Sequence, residues 1–235
     1  MFIIKIADLK IAIKNNFDYI FNQCAEYICS DKDYDFSVSV TNEEISDEQK
    51  IGGFDFNEGY LESICLYRNI AKELPKYNAF VMHGAAVKFE GKAYCFAAKS
   101  GTGKTTHINL WKQLLGEQMS VINGDKPIIR LINNEFVVFG TPWCGKENLG
   151  NNCYAPLSGI CFLEQSANNS IAAYAQQQAL SKLLPQIFLS SNSSDINATI
   201  SLIERIIQNI PMWQLKCNIS IDAAILSHKT MCGKN

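Results

Sequence analysis

Between residues 98 and 105 the chain reads Ala98, Lys99, Ser100, Gly101, Thr102, Gly103, Lys104, Thr105, with Thr106 next. Glycines at 101 and 103 let consecutive backbone N–H groups turn towards one centre, and such a concavity suits phosphate oxygens. The lysine after the second glycine supplies a mobile positive charge, and the Thr105 hydroxyl is a hard oxygen of the kind Mg2+ accepts. The spacing satisfies the pattern of a phosphate-binding loop. It implies capture of a nucleoside triphosphate, ATP with Mg2+, by Ser100, Gly101, Thr102, Gly103, Lys104, Thr105 and Thr106.

Phosphoryl transfer from such a ligand also asks for a metal carboxylate, a proton acceptor and a further cation. Asp125 follows a short apolar run and is the candidate carboxylate, sharing the metal with Thr105; its other reading is a turn residue ahead of Lys126 and Pro127. His83 stands in the apolar run 80–89, as either a proton acceptor or a hydrogen-bonded core residue. Lys146, with Gly140 and Gly145 before it, is the candidate cation, and Glu147 is a lesser candidate for a base or a second metal contact. Arg130 and Lys99 either touch phosphate or face water. Trp143 either stacks on a base or packs its own loop down. Cys144 has no local base partner and so does not read as a nucleophile. His107 falls on the helix after the loop, near the site without touching it.

The elements that must position these groups follow from periodicity and punctuation. Residues 80–89 and 92–98 are strand-like and separated by Glu90 and Gly91, a connection that joins only antiparallel strands. The glycine loop therefore leaves the second arm of a hairpin. A helix at 105–115 is stopped by Gly116, a strand at 119–122 leads to Asn123, Gly124 and Asp125, and a second hairpin pairs 128–132 with 135–139. The polar loop 140–147 leads to a buried strand at 157–163. Helices at 177–189 and 196–207, a strand at 212–217 and a helix at 221–228 complete the chain. Ahead of this part, residues 1–75 read as a strand (3–13), a helix (17–29), a strand (36–41), an acidic glycine-containing stretch (42–59) and a helix (61–74) closed by Pro75. The expected class is α/β, a mixed and largely antiparallel sheet with flanking helices. The expected units are an N-terminal α+β region of residues 1–75, without a chemical motif, and a nucleotide-binding unit of residues 76–235.

The order His83-Gly84, the loop Ser100 to Thr106, then Asp125 resembles the superfamily that unites HPr kinase/phosphorylase with phosphoenolpyruvate carboxykinase, over roughly residues 80 to 165. That resemblance implies the carboxykinase/HPr kinase-like P-loop fold and an ATP- and Mg2+-dependent kinase acting on a hydroxyl, that of Ser or Thr of a small protein or peptide. A small-molecule kinase and a non-catalytic ATP-binding regulator are the alternatives. Decarboxylation is not implied, because the chain is short for a carboxykinase. The superfamily shows two adjacent aspartates where this chain has Gly124 and Asp125, and Asp125 aligns with the metal-binding one. Related HPr kinases self-assemble, so a homo-oligomer is among the states the resemblance allows.

Composition narrows the partners. The 235 residues carry 21 Lys and Arg against 23 Asp and Glu, a net charge of -2 with no basic cluster, which argues against nucleic acid as a partner. No run of eighteen apolar residues exists that would span a membrane, so a cytoplasmic protein is expected. Nine cysteines without a C-x-x-C pair read as reduced thiols and not as zinc ligands. The partner left is a hydroxyl-bearing protein, peptide or small-molecule acceptor.

Overall fold

A computed structural model describes residues 1–52 and 55–233. In chain order the elements are β1 (Phe2–Ile6), β2 (Leu9–Lys14), α1 (Asp18–Gln23), β3 (Phe36–Ser39), α2 (Asn42–Gly52), α3 (Glu58–Glu73), β4 (Ala79–Val81), β5 (Ala85–Phe89) and β6 (Lys92–Ala97). There follow α4 (Lys104–Leu115), β7 (Met119–Asn123), β8 (Ile128–Ile132), β9 (Glu135–Phe139), β10 (Tyr154–Gln165) and β11 (Ser170–Ala173). The chain ends with α5 (Gln176–Leu183), α6 (Ser193–Asn209), β12 (Met212–Cys217) and α7 (Ile221–Cys232).

The expected hairpin of β5 and β6 forms across Glu90 and Gly91, both with positive φ. β6 has β5 antiparallel on one side and β10 parallel on the other, so the strand feeding the glycine loop lies inside a mixed sheet. The order runs β4-β8-β9-β10-β6-β5-β7, with β12 parallel to β10 and β11 antiparallel to β12. β10 changes partners along its length. Tyr154 to Pro156 pair antiparallel with β9, and from Leu157 onward the strand pairs with β6, then with β12, across an irregularity between Leu157 and Gly159.

β5 and β6 read as near-continuous apolar runs because both faces of the sheet are covered. Ile108 and Trp111 of α4, with Ala224 and Met231 of α7, cover one face. Ala179 and Leu183 of α5, with Leu202, Ile203 and Ile206 of α6, cover the other. The N-terminal sheet β1-β2-β3 packs with α3 around Ile4, Ile11, Leu66 and Ile70, and this core runs on into Val81, Ile128, Phe139 and Trp143, across residue 75.

Several element readings need correction. The strand expected over 3–13 is two antiparallel strands, because Ala7 and Asp8 take φ of 52° and 55° and turn the chain without a glycine. The helix expected over 17–29 stops at Gln23 and continues as a single 3-10 turn over Ala25–Tyr27. The stretch 42–59 contains α2: Thr41 and Glu44 cap its start reciprocally, Glu44 N donating to Thr41 Oγ1 at 3.2 Å and Thr41 N to Glu44 Oε2 at 2.8 Å. Residues 53 and 54 of that stretch lie outside the described residues. β11 was not expected, and β4 pairs with β8, apart from β5. Among the described residues no helix is long and apolar enough to cross a membrane.

Candidate functional site

β6 ends at Ala97 and the chain bends through the glycine loop into α4. Gly101 and Gly103 have φ of +78° and +110°, in the region that favours glycine, and nothing lies within 4 Å of a Cβ built on Gly101. Backbone conformation, not crowding, requires glycine at 101. Gly103 precedes α4 without a side-chain cap, and the first turn holds no acidic residue, so the N–H groups and positive end of α4 face the loop uncompensated. The Gln165 carboxamide, at the end of β10, donates to Thr102 O at 3.3 Å and steadies the loop.

Lys104 is 8% exposed and its Nζ donates to Ala98 O at 3.0 Å. Burial lowers its pKa, and Asp125 opposes that shift. Nζ also lies 3.3 Å from His83 Nε2, and the same nitrogen lies 3.4 Å from Asp125 Oδ1. One ring nitrogen cannot both accept from an ammonium and donate to a carboxylate, so the imidazole mediates between the two according to its tautomer. His83 occupies the bend between β4 and β5, not a strand, and its N–H donates to Gln186 O at 2.6 Å. Its side chain is 37% exposed, which excludes the core-residue reading.

Asp125 is set by a residue that sequence reasoning did not select. Asn123, fully buried at the end of β7, accepts from Asp125 N at 2.8 Å and Lys126 N at 2.7 Å. Its Nδ2 donates to Thr141 Oγ1 at 2.9 Å, tying the Asp125 turn to the loop 140–147. Gly84 N closes the other side by donating to Asp125 O at 2.9 Å. Burial would raise the Asp125 pKa, but the hydrogen bond from His83 and the charges of Lys126 and Lys104 outweigh it, and the carboxyl lies below its ordinary value. Lys126 Nζ, also unselected by the sequence reading, lies 3.5 Å from Asp125 Oδ2.

The loop after β9 covers this turn closely. A Cβ on Gly145, whose φ is +79°, would lie 2.9 Å from Asp125 Cβ, and one on Gly124 would lie 3.0 Å from Leu149 O and 3.2 Å from Cys144 O. A side chain at 124 would press on the loop backbone, which would have to give by a few tenths of an ångström. Lys146 and Glu147 are exposed on that loop, and among the described residues Lys146 has no hydrogen-bond or ion-pair partner. Ser100, Gly101 and Thr106 are exposed, and Thr102, Gly103 and Thr105 half-buried, so the expected phosphate-binding residues stay accessible around Lys104.

Other candidates fall away from the site. Arg130 donates to Tyr77 O at 3.1 Å and Ala7 O at 2.7 Å, a structural tie to the N-terminal hairpin. Trp143 is 6% exposed and stacked on Tyr67, ring centroids 4.1 Å apart, which leaves no face for a base. The Cys144 thiol donates to Thr141 O at 3.0 Å, and burial pushes its pKa up to about 11, so it is not a thiolate near neutral pH. His107 turns from the loop towards α7.

A hard-oxygen pair of one carboxylate, Asp125, held ionised, and one hydroxyl, Thr105, fits Mg2+, which takes few protein ligands beside phosphate oxygens. Beside the loop opens a cleft of about 840 Å³, lined by Ala98 to Thr102, the end of β10, Lys182, Gln186 and Gln214. Sheet order puts this cleft on the β10 side of β6, and Asp125 and His83 on the β5 side.

No protein-family model and no curated protein matches the chain. Among solved structures, the HPr(Ser) kinase/phosphatase from Coxiella burnetii is similar at a TM-score of 0.36 and 8% sequence identity, over 65% of this chain and 92% of its own.

Proposed function

We propose that this chain is an ATP-dependent kinase that transfers the γ-phosphoryl group to a hydroxyl, the acceptor being Ser or Thr of a small protein or peptide. The observation that carries the reading is the meeting of Lys104 Nζ, His83 Nε2 and Asp125 Oδ1 at successive separations of 3.3 and 3.4 Å, where the glycine loop enters α4. In this reading the backbone N–H groups of 101–106 and the N-terminus of α4 hold the phosphates. The 840 Å³ cleft has the size of a nucleoside-binding site. Mg2+, held by Asp125 and Thr105, would neutralise charge on the β- and γ-phosphates. In the tautomer that carries its hydrogen on Nδ1, His83 offers a bare Nε2 that takes the proton of the acceptor hydroxyl as the hydroxyl oxygen attacks the γ-phosphorus and ADP departs. Lys104, Lys126 and the exposed Lys146 offset charge on the moving phosphoryl.

A non-catalytic ATP-binding regulator is the second reading, favoured by Gly124 where the resembling superfamily has another carboxylate. Titration calorimetry with Mg-ATP and Mg-ADP, with Lys104→Ala alongside, tests the binding half. ADP release with and without candidate hydroxyl acceptors tests the chemical half. Turnover lost in Asp125→Asn supports the kinase; tight binding with no phosphorylated product in any fraction supports the regulator. Absence of nucleotide binding removes both.

A further inference from the structure

The residues before 75 carry no chemical motif, yet they grip both segments that flank Asp125. Tyr67 on α3 is 5% exposed and donates its hydroxyl to the backbone carbonyl of Lys126 at 2.6 Å, one residue beyond the candidate metal carboxylate. That carbonyl also accepts from Thr141 Oγ1 at 3.1 Å. The Tyr67 ring stacks on Trp143 with an interplanar angle of 14°. Trp143 Nε1 donates to Ser63 Oγ at 2.9 Å and Ser63 O at 3.0 Å, Ser63 Oγ donates to Gln23 Oε1 at 2.5 Å, and Gln23 Nε2 donates to Pro142 O at 3.0 Å. Helices α1 and α3 therefore hold the loop 140–147 at two adjacent residues and the Asp125 turn at a third. Asn123 joins the two held segments from beneath.

We infer that the N-terminal region is a working part of the phosphoryl-transfer site, with Tyr67, Ser63 and Trp143 as positioning residues that fix the Asp125 carboxylate and the loop bearing Lys146. None of the three touches nucleotide; each acts through backbone that carries a candidate site residue. The physical reason is geometric. Asp125 follows a tight turn whose freedom is limited by Asn123 on one side and by Tyr67 on the other, and a carboxylate must stand within a few tenths of an ångström of its place to complete a metal shell. Among the described residues the glycine loop and Lys104 have no such tie to α3, so phosphate capture and metal positioning separate. This inference rests on the nucleotide reading above.

The test measures ADP binding to the full chain, by titration calorimetry, in EDTA and in Mg2+. The ratio of the two affinities reports the metal-linked part alone. Tyr67→Phe keeps the stack and removes one hydrogen bond; it lowers that ratio about fivefold, the loss expected from one buried hydrogen bond, and leaves metal-free ADP affinity within about twofold. Ser63→Ala moves the ratio in the same direction. Tyr77→Phe removes an equivalent hydroxyl, which donates to Asp35 O at 2.9 Å in the same region, and leaves both affinities unchanged. An unaltered ratio in Tyr67→Phe and Ser63→Ala, or equal loss with and without metal, overturns the inference and leaves the nucleotide reading standing. A wild-type chain that binds no ADP overturns both, and one that binds ADP without a Mg2+ effect overturns the metal role of Asp125 and this inference with it.

Discussion

His107, one turn beyond Lys104, anchors α4 to α7 and sets the acid limb of stability. The hydrogen bonds at Ser227 assign its tautomer. Ser227 Oγ donates its one proton to Ala224 O at 3.1 Å, so it must accept from Trp111 Nε1 at 2.8 Å and from His107 Nε2 at 3.0 Å. Nε2 therefore carries the hydrogen, and Nδ1 is a bare, buried nitrogen without a partner among the described residues. Protonation would place a charge and an unpaired N–H in a core 2% exposed, and burial accordingly pushes the His107 pKa down from 6.5 to about 4. Because the unfolded chain binds this proton first, stability is complete above pH 6.5 and falls as pH drops towards 4. Between pH 8 and 5 the loss is about 2 kcal/mol, which for a urea slope near 2 to 3 kcal/mol/M moves the midpoint by about 0.7 to 1 M. His107→Leu starts lower at pH 8, since Ser227 loses a donor, but lacks this component, while the other ionisable groups are common to both proteins. Urea midpoints at pH 8, 6.5 and 5 check it. A variant whose midpoint falls as steeply as the wild type refutes the assignment of the neutral, buried imidazole.

Gly124→Ala costs about 1 to 3 kcal/mol in chemical denaturation, since its Cβ meets Leu149 O at 3.0 Å, and Gly124→Asp gains no turnover despite supplying a second carboxylate. Asn123→Leu leaves the part-buried N–H groups of Asp125 and Lys126 without their acceptor and lowers stability by about 2 to 4 kcal/mol, read from the thermal or urea transition. Gly103→Ala forces a Cβ into a φ of +110°; nucleotide affinity falls at least tenfold in titration calorimetry while the far-ultraviolet circular dichroism stays as in the wild type.

The glycine loop and the hairpin leading to it were legible because each is written in contiguous residues whose types have one structural use, Gly101 and Gly103 above all. The position of Asp125 just after β7 was legible from the apolar run before it. The first hairpin was hidden because its turn uses Ala7 and Asp8, two residues that seldom take positive φ in succession. Helix α2 was hidden by its surface: Ile45 is its buried hydrophobic residue among the described ones, so no apolar period shows, although the Thr41–Glu44 capping pair was there to be read. The packing of Trp143 was one of the two readings its sequence position offered. Asn123 and Tyr67 were beyond reach for a different reason. Their roles arise from contacts between segments far apart in sequence, and a buried asparagine or a stacked aromatic pair has no characteristic spacing.

The change of partners along β10 bears on how the molecule comes apart. One strand is antiparallel to β9 through its first residues and parallel to β6 and β12 through the rest, with Trp213 packed onto Gly159 near the change. Neither half of the nine-stranded sheet can close without it, and its parallel partners lie far from it in sequence. Loop-closure entropy then places β10 pairing late in assembly and makes its release coincide with loss of the whole sheet. Backbone amides of Ile160, Cys161 and Phe162 belong among the slowest to exchange with deuterated solvent, opening only with the global transition, whereas α2, held by few buried contacts, exchanges through local opening.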